Sequence, residues 1–141
     1  MYETMNLSHA DAMEIINAVR SKVEAGGKAV CVAVTDSHGE LIAFLRMDGC
    51  HLPPLSVAIN KAFTAARERR PSGEVGKAAL SAPFPMTNFG DPRYTGWAGG
   101  FPVLHRGKVV GAVGVSGLDD EQDTALGRMA AELITGKDAR P

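Results

Sequence analysis

Two pairs of short apolar segments, each joined by a tight turn, limit this chain to folds that contain an antiparallel sheet. One pair flanks the turn at residues 36–39, and the other flanks Arg106-Gly107. Connections this short reverse the chain directly and form β-hairpins, whereas parallel neighbours need a long crossover. The predicted strands are residues 29–35, 41–46, 101–105 and 108–115.

Apolar residues at helical spacing predict helices between and around these hairpins. Ser8 and Asp11 have the spacing of a capping box at the start of the first helix. Ser72 is the expected N-cap of a short third helix, directly after Pro71. Helices with one apolar face need a sheet to cover, so the order predicts an antiparallel sheet covered by helices. The predicted helices are residues 8–25, 55–70, 73–80 and a last one from the acidic run at 119–123 to Gly136.

Length and charge exclude several classes of protein. A chain of 141 residues is expected to form a single domain over residues 1–141. The net charge of −1 argues against nucleic acid as a partner. No segment has the composition of a membrane span, and the N-terminus lacks the pattern of a signal peptide. The expected location is therefore cytoplasmic, with no membrane association.

The loop at residues 81–100 is the first candidate for a binding site. It is rich in glycine and proline and also contains aromatic residues, among them Tyr94 and Trp97. Loops this long in a small domain are usually functional, and aromatic faces stack on planar ligands. The alternative is that the loop folds back and uses its aromatic side chains as a small core of its own.

Glycines extend this candidate site from Gly99 to Gly117. Gly99 and Gly100, before Phe101, have the pattern of an anion-binding turn that could hold a carboxylate. Gly114 lies inside a predicted strand, where glycine marks a close approach of backbone. The approaching group is either a ligand or partner subunit, or a helix packed on the sheet.

Four side chains elsewhere could carry chemistry. Lys61 lies beside the apolar face of the second helix, and it either extends to water or acts as a desolvated ammonium. Arg46 could hold the same carboxylate as Lys61, or could pair with Asp48. Asp48 and His51, next to Cys50, are candidates for proton transfer. Cys31 is expected to be a small buried apolar residue, and Cys50 to be more accessible.

Four motifs occur together in one order and spacing. They are Val32–Gly39, Arg46–Gly49, Lys61 with Thr64–Ala66, and Gly99–Val103 followed by Val110–Gly117. In this order they resemble the GlcG/HbpS-like family of haem-binding and haem-degrading proteins, whose domain also forms the C-terminal part of PduO-type corrinoid adenosyltransferases. The resemblance covers residues 8–134.

The resemblance implies an α-β-α sandwich around a five-stranded antiparallel sheet, similar to profilin-like folds. It also implies a homo-oligomer, often an octamer, and a small-molecule ligand. Some members bind haem, and related haem binders use a histidine on the N-terminal helix. Haem is therefore the candidate cofactor and His9 the candidate iron ligand, with an ordinary surface histidine as the alternative.

Three functional hypotheses remain at this stage. The first is a protein that binds haem, another tetrapyrrole or a carboxylate-bearing ligand. The second is a cofactor-independent catabolic enzyme, an isomerase, hydratase or hydrolase, acting on a small organic acid or an aromatic ring-cleavage product through Lys61, Arg46, Asp48 and His51. The third is a structural or regulatory oligomer without ligand chemistry.

Overall fold

Both predicted hairpins and all four predicted helices are present in the computed structural model, which describes residues 1–139. Their order is helix, hairpin, two helices, hairpin, helix, with short 3-10 turns at Met86–Phe89 and Gly136–Ala139. The elements are α1 (His9–Ala25), β1 (Cys31–Asp36), β2 (Leu41–Arg46), α2 (Pro54–Glu68), α3 (Ser72–Ser81), β3 (Gly100–His105), β4 (Lys108–Ser116) and α4 (Asp120–Thr135).

Local chemistry accounts for the turns and for the start of α1. The Asp36 carboxylate accepts hydrogen bonds from the backbone N–H groups of His38 (2.8 Å) and Glu40 (3.0 Å), which closes the first hairpin. Arg106 and Gly107 have φ values of 49° and 75°, as a two-residue hairpin turn requires. Ser8 and the side chain of Asp11 form the predicted capping box.

The sheet has four strands in the described residues, in the order β2-β1-β4-β3, so the expected fifth strand was wrong. All neighbouring strands are antiparallel. The long segment between α3 and β3 contains a 3-10 turn and then an irregular stretch. In that stretch the Thr95 N–H donates to the Thr64 hydroxyl on α2 at 2.9 Å instead of extending the sheet.

Helices cover both faces of the sheet. Helix α2 packs on β1, β4 and β3, while α1 and α4 pack on the opposite face and on each other. The face toward α1 and α4 carries valines, among them Val32 and Val115. The face toward α2 carries small residues, among them Ala33 and Gly114. Because the sheet face toward α2 carries small residues, and α2 places Ala58 and Ala62 against it, the helix approaches the sheet backbone closely.

Gly114 is the point of closest approach. A β-carbon there would lie 2.7 Å from the backbone nitrogen of Ala62 and would also clash with the carbonyl oxygen of Ala58. The space above Gly114 is thus filled by α2, which corresponds to the helix-packing interpretation of this glycine. In the described part of the chain, no helix is long and apolar enough to cross a membrane.

The substitution Gly114→Ala is expected to lower the free energy of unfolding by about 1–3 kcal/mol, because the added methyl group forces α2 away from β4. Urea denaturation measures the change. Gly136→Ala is the matched control, since a β-carbon there meets nothing within 4 Å. Equal stability of the two variants would show that α2 does not press on β4.

Candidate functional site

A cavity of about 570 Å³ lies between α3, residues 95–101 and the first three turns of α4. This volume is within the range of pockets that bind small molecules, roughly 300–1,000 Å³. The segment at residues 95–101 forms its floor. Its lining combines apolar or aromatic side chains with charges of both signs, including Met86, Trp97, Phe101, Lys77, Asp120 and Arg128.

Two buried hydroxyl groups, Thr64 on α2 and Ser72 on α3, hold the floor of the cavity in place. The Ser72 hydroxyl donates to the Trp97 carbonyl at 2.6 Å and accepts from the Gly100 N–H at 2.9 Å. Ser72 is the first residue of α3 and makes no capping hydrogen bond there, so its predicted N-cap role was wrong. Because Ser72 already occupies the Gly100 N–H, that group is unavailable to a ligand carboxylate.

Glycines allow both helices to close on this floor. A β-carbon at Gly76 of α3 would lie 2.7 Å from the α-carbon of Gly96. A β-carbon at Gly127 of α4 would lie 2.5 Å from the carbonyl oxygen of Gly99. Gly99 itself has a φ of 119°, which side chains with a β-carbon rarely adopt. The glycines therefore shape the cavity through backbone packing.

Trp97 and Phe101 provide the aromatic surface of the cavity. Trp97 is 59% exposed, whereas Phe101 is buried and has the Arg128 guanidinium 5.6 Å from its ring centre. Tyr94, the other predicted wall residue, is not part of the lining. It stacks on Phe89 of the same loop at 4.2 Å, as the alternative of a small loop core predicted, and it also contacts Phe63 of α2 edge-on at 5.1 Å.

Lys61 lies directly behind the cavity floor, where it is buried. Its ammonium donates to the Val115 carbonyl at 2.8 Å and to the Asp123 carboxylate at 3.0 Å. Only 2% of the Lys61 side chain is exposed, so the interpretation in which it extends to water was wrong. A β-carbon at Gly99 would lie 3.1 Å from the Lys61 Nζ. Gly99 thus separates this ammonium from the cavity.

Asp123 was not predicted as a site residue, because its place in the acidic run at 119–123 is typical of a helix start. Asp123 is buried, and its second carboxylate oxygen accepts from the Leu118 N–H at 3.1 Å. Its spacing from Leu126 and Ala130, three and seven residues later, places all three on the buried face of α4. That spacing was the available signal.

Burial shifts the pKa values of both Lys61 and Asp123 in the direction that favours their neutral forms. It lowers the pKa of the Lys61 ammonium and raises the pKa of the Asp123 carboxyl. The opposite charge of each partner and the hydrogen bond between them act against these shifts. The pair is therefore held together by mutual compensation of two desolvated charges.

The sequence profile of the family described as "Haem degrading protein HbpS-like" matches residues 7–132. The chain belongs to the HbpS-like family. An uncharacterized 15.0 kDa protein from the dhaT-dhaS intergenic region of Citrobacter freundii is 32% identical over 130 residues, covering 89% of this chain and 90% of that protein. Protein GlcG of Escherichia coli K12 is 34% identical over 110 residues, covering 78% of this chain and 81% of GlcG.

Solved structures of similar proteins share the fold. Klebsiella pneumoniae protein ORFY has a TM-score of 0.89 at 27% identity, covering 96% of this chain and 94% of ORFY. A double mutant of Streptomyces reticuli HbpS has a TM-score of 0.85 at 30% identity, covering 95% of this chain and 90% of HbpS. A haem complex of PduOC has a TM-score of 0.84 at 23% identity, covering 92% of this chain and 96% of PduOC.

The remaining predicted site residues lie away from the cavity of this HbpS-like chain. Arg46 ends β2, two strands from the part of β4 that Lys61 contacts, and Asp48 and His51 follow in the next loop. His9 is exposed in the first turn of α1. None of these four lines the cavity, and the predicted catalytic set is not assembled around Lys61. Residues 1–139 contain no cluster of three or more histidine, cysteine or acidic side chains suited to a metal ion.

The substitution Lys61→Met is expected to lower the free energy of unfolding by about 3–5 kcal/mol, because it leaves the Asp123 carboxylate buried without a counter-charge. The double variant Lys61→Met/Asp123→Asn is expected to recover part of the loss, since the amide oxygen still accepts from Leu118. Urea denaturation measures both. A loss in the double variant equal to or above that in the single variant would show that the lone charge is not the cause.

Stability of the Lys61→Met variant should also depend on pH. Without the ammonium, burial raises the pKa of Asp123 further, so protonation favours the folded state more than the unfolded state. The variant should therefore gain stability relative to wild type as pH falls from about 8 to about 5. The double variant lacks this carboxyl group and should not show that gain. Equal pH profiles of the single and double variants would contradict the assignment of this pH dependence to Asp123.

Proposed function

We propose that this chain binds a planar, carboxylate-bearing small molecule, with haem as the first candidate, in the cavity between α3 and α4. The observation that carries the proposal is the exposed Trp97 ring on the cavity floor, with the cations Lys77 and Arg128 in the same lining. An aromatic face stacks on a planar ring, and cationic side chains bind carboxylates. Membership of a family described as haem degrading supports haem among such ligands.

The cavity lining fits several parts of haem. Trp97 would stack on the macrocycle, while Lys77 and Arg128 would bind the two propionates. Met86 supplies a thioether sulfur, a group that would be able to hold the haem iron. None of the described lining residues is a histidine. When bound, haem would supply one-electron and oxygen chemistry at its iron, and the chain would orient it and shield one face.

The homo-oligomer, with an octamer as the expected size, stays part of the proposal. Its support is the family resemblance together with exposed apolar side chains in the cavity lining. Leu80 is 87% exposed and Trp97 is 59% exposed, and exposed apolar clusters often mark subunit contacts. Light scattering coupled to size exclusion measures the mass directly, and a monomer at all concentrations would remove the oligomer from the proposal.

The enzyme hypothesis has less support. It requires Lys61, Arg46, Asp48 and His51 to act on one substrate. Lys61 is sealed beneath Gly99 and paired with Asp123, whereas the other three are exposed near the opposite edge of the sheet. A single small organic acid would therefore not contact all four residues.

Titration of the wild-type protein with hemin is expected to shift the Soret band at micromolar concentrations. Trp97→Ala should weaken binding about tenfold through lost stacking, a change of about 1.4 kcal/mol. Arg128→Gln should weaken it about 10–100-fold, because a hydrogen bond to a charged group contributes roughly 1.5–3 kcal/mol.

Met86→Leu tests the proposed iron ligand and should alter the position of the Soret band. His9→Ala is the matched control and should leave that position unchanged. Loss of the spectrum in His9→Ala, with normal binding by Trp97→Ala, would move the site to the start of α1. Absence of any Soret shift in wild type would refute haem as the ligand.

A further inference from the structure

The two cysteines meet beneath the start of α2, away from the cavity. Cys31 lies in β1 and Cys50 in the loop between β2 and α2, yet their sulfur atoms are only 3.7 Å apart. Cys31 is fully buried, whereas Cys50 is partly exposed. The pair is packed among small and apolar residues, including Ala33, Ala58 and Leu55. Neither sulfur takes part in the proposed ligand site.

We propose that Cys50 and Cys31 form a peroxide-reactive modification site, in which Cys50 is oxidised first and Cys31 then closes a reversible disulfide. Cys50 is the partly exposed member of the pair, so a molecule as small as a peroxide is expected to reach it before it reaches Cys31. Contact with Cys50 makes Cys31 the nearest thiol that can react with the oxidised sulfur. This proposal is independent of the ligand bound in the cavity.

The reaction balances with hydrogen peroxide as the oxidant. The Cys50 thiolate sulfur attacks one peroxide oxygen, the O–O bond breaks, and the departing hydroxide takes a proton to form water. Cys50 is then a sulfenic acid. The Cys31 sulfur attacks the Cys50 sulfur, the S–O bond breaks, and a second water leaves with the Cys31 proton. In total, two thiols and one peroxide give one disulfide and two waters.

The surroundings of the two sulfurs assign these roles. Burial raises the pKa of Cys31 to about 12, with a further contribution from the Cys50 contact, so Cys31 remains a thiol until its partner is oxidised. The positive charge of Arg46, the neighbour of Cys31 across the β1–β2 ladder, acts in the opposite direction. This cation favours proton loss from Cys31 during the second step.

Formation of the bond needs only a local movement. A disulfide has sulfur atoms about 2.05 Å apart, so the two sulfurs must approach by about 1.7 Å. Cys31 lies in an inner strand that pairs with both β2 and β4, which holds it in place. Cys50 lies outside the sheet, at the end of a turn in which its N–H donates to the Met47 carbonyl at 3.1 Å. Cys50 is therefore less constrained than Cys31, and its side chain is the one expected to move.

The test treats dilute, haem-free wild-type protein with equimolar hydrogen peroxide and then alkylates it under denaturing conditions. Digestion without reductant should yield one linked peptide pair containing Cys31 and Cys50, lighter by two hydrogen atoms than the sum of the free peptides. Both alkylatable thiols should be lost together, and dithiothreitol should restore both. Persistence of two free thiols at a peroxide dose that oxidises Cys50 in the Cys31→Ser variant would overturn the proposal.

Two serine variants separate the roles of the cysteines. Cys31→Ser should accumulate the Cys50 sulfenic acid, which dimedone traps, because the resolving thiol is absent. Cys50→Ser should leave Cys31 reduced at the same peroxide dose. Oxidation of Cys31 in Cys50→Ser, or a wild-type product linked only between two copies of Cys50, would also overturn the proposal. Circular dichroism of both variants confirms that they are folded.

Discussion

The buried ion pair between Lys61 and Asp123 joins the two helical layers around one edge of the sheet. Lys61 comes from α2 and Asp123 from α4, which cover opposite faces. They meet where β3 begins, beside the Val115 carbonyl, which accepts a hydrogen bond from the ammonium. Two desolvated charges persist at such a place only when each compensates the other. The cavity floor runs over this pair, so its position depends on both helices.

The close approach of α2 to the sheet makes this pair possible. Because Gly114 has no side chain, the α2 backbone at Ala58 and Ala62 lies directly on β4. The β-carbon of Lys61 is then near β4, and its extended side chain reaches the strand edge. A larger residue at position 114 would separate the layers and leave the Lys61 ammonium short of the Val115 carbonyl.

Local signals in the sequence were enough to predict most of the fold, but they could not predict contacts between distant segments. Short connections determined both hairpins, and Ser8 determined the start of α1. Ser72 and Asp123 were assigned to helix starts, where such residues are common. Their actual partners lie 25 and 62 residues away. The fifth strand came from the family resemblance, and this chain's own pattern contained only four.

Only part of the candidate site was predicted, because local patterns in the sequence do not show contacts between distant segments. Trp97, Gly99 and Phe101 are near one another in the chain, so composition alone marked their segment, and they do line the cavity. Lys77 and Arg128 belong to two different helices, whose relative placement no local pattern encodes. The placement of Lys77 and Arg128 also affects which ligand the cavity would bind. The charge of Lys61 is cancelled nearby by Asp123, so the attraction of the cavity for a carboxylate depends on these two exposed side chains. Because acidic residues, including Asp120, share the lining, the attraction is local to each cation. Each carboxylate of the proposed ligand would therefore have to lie close to one of these two cations.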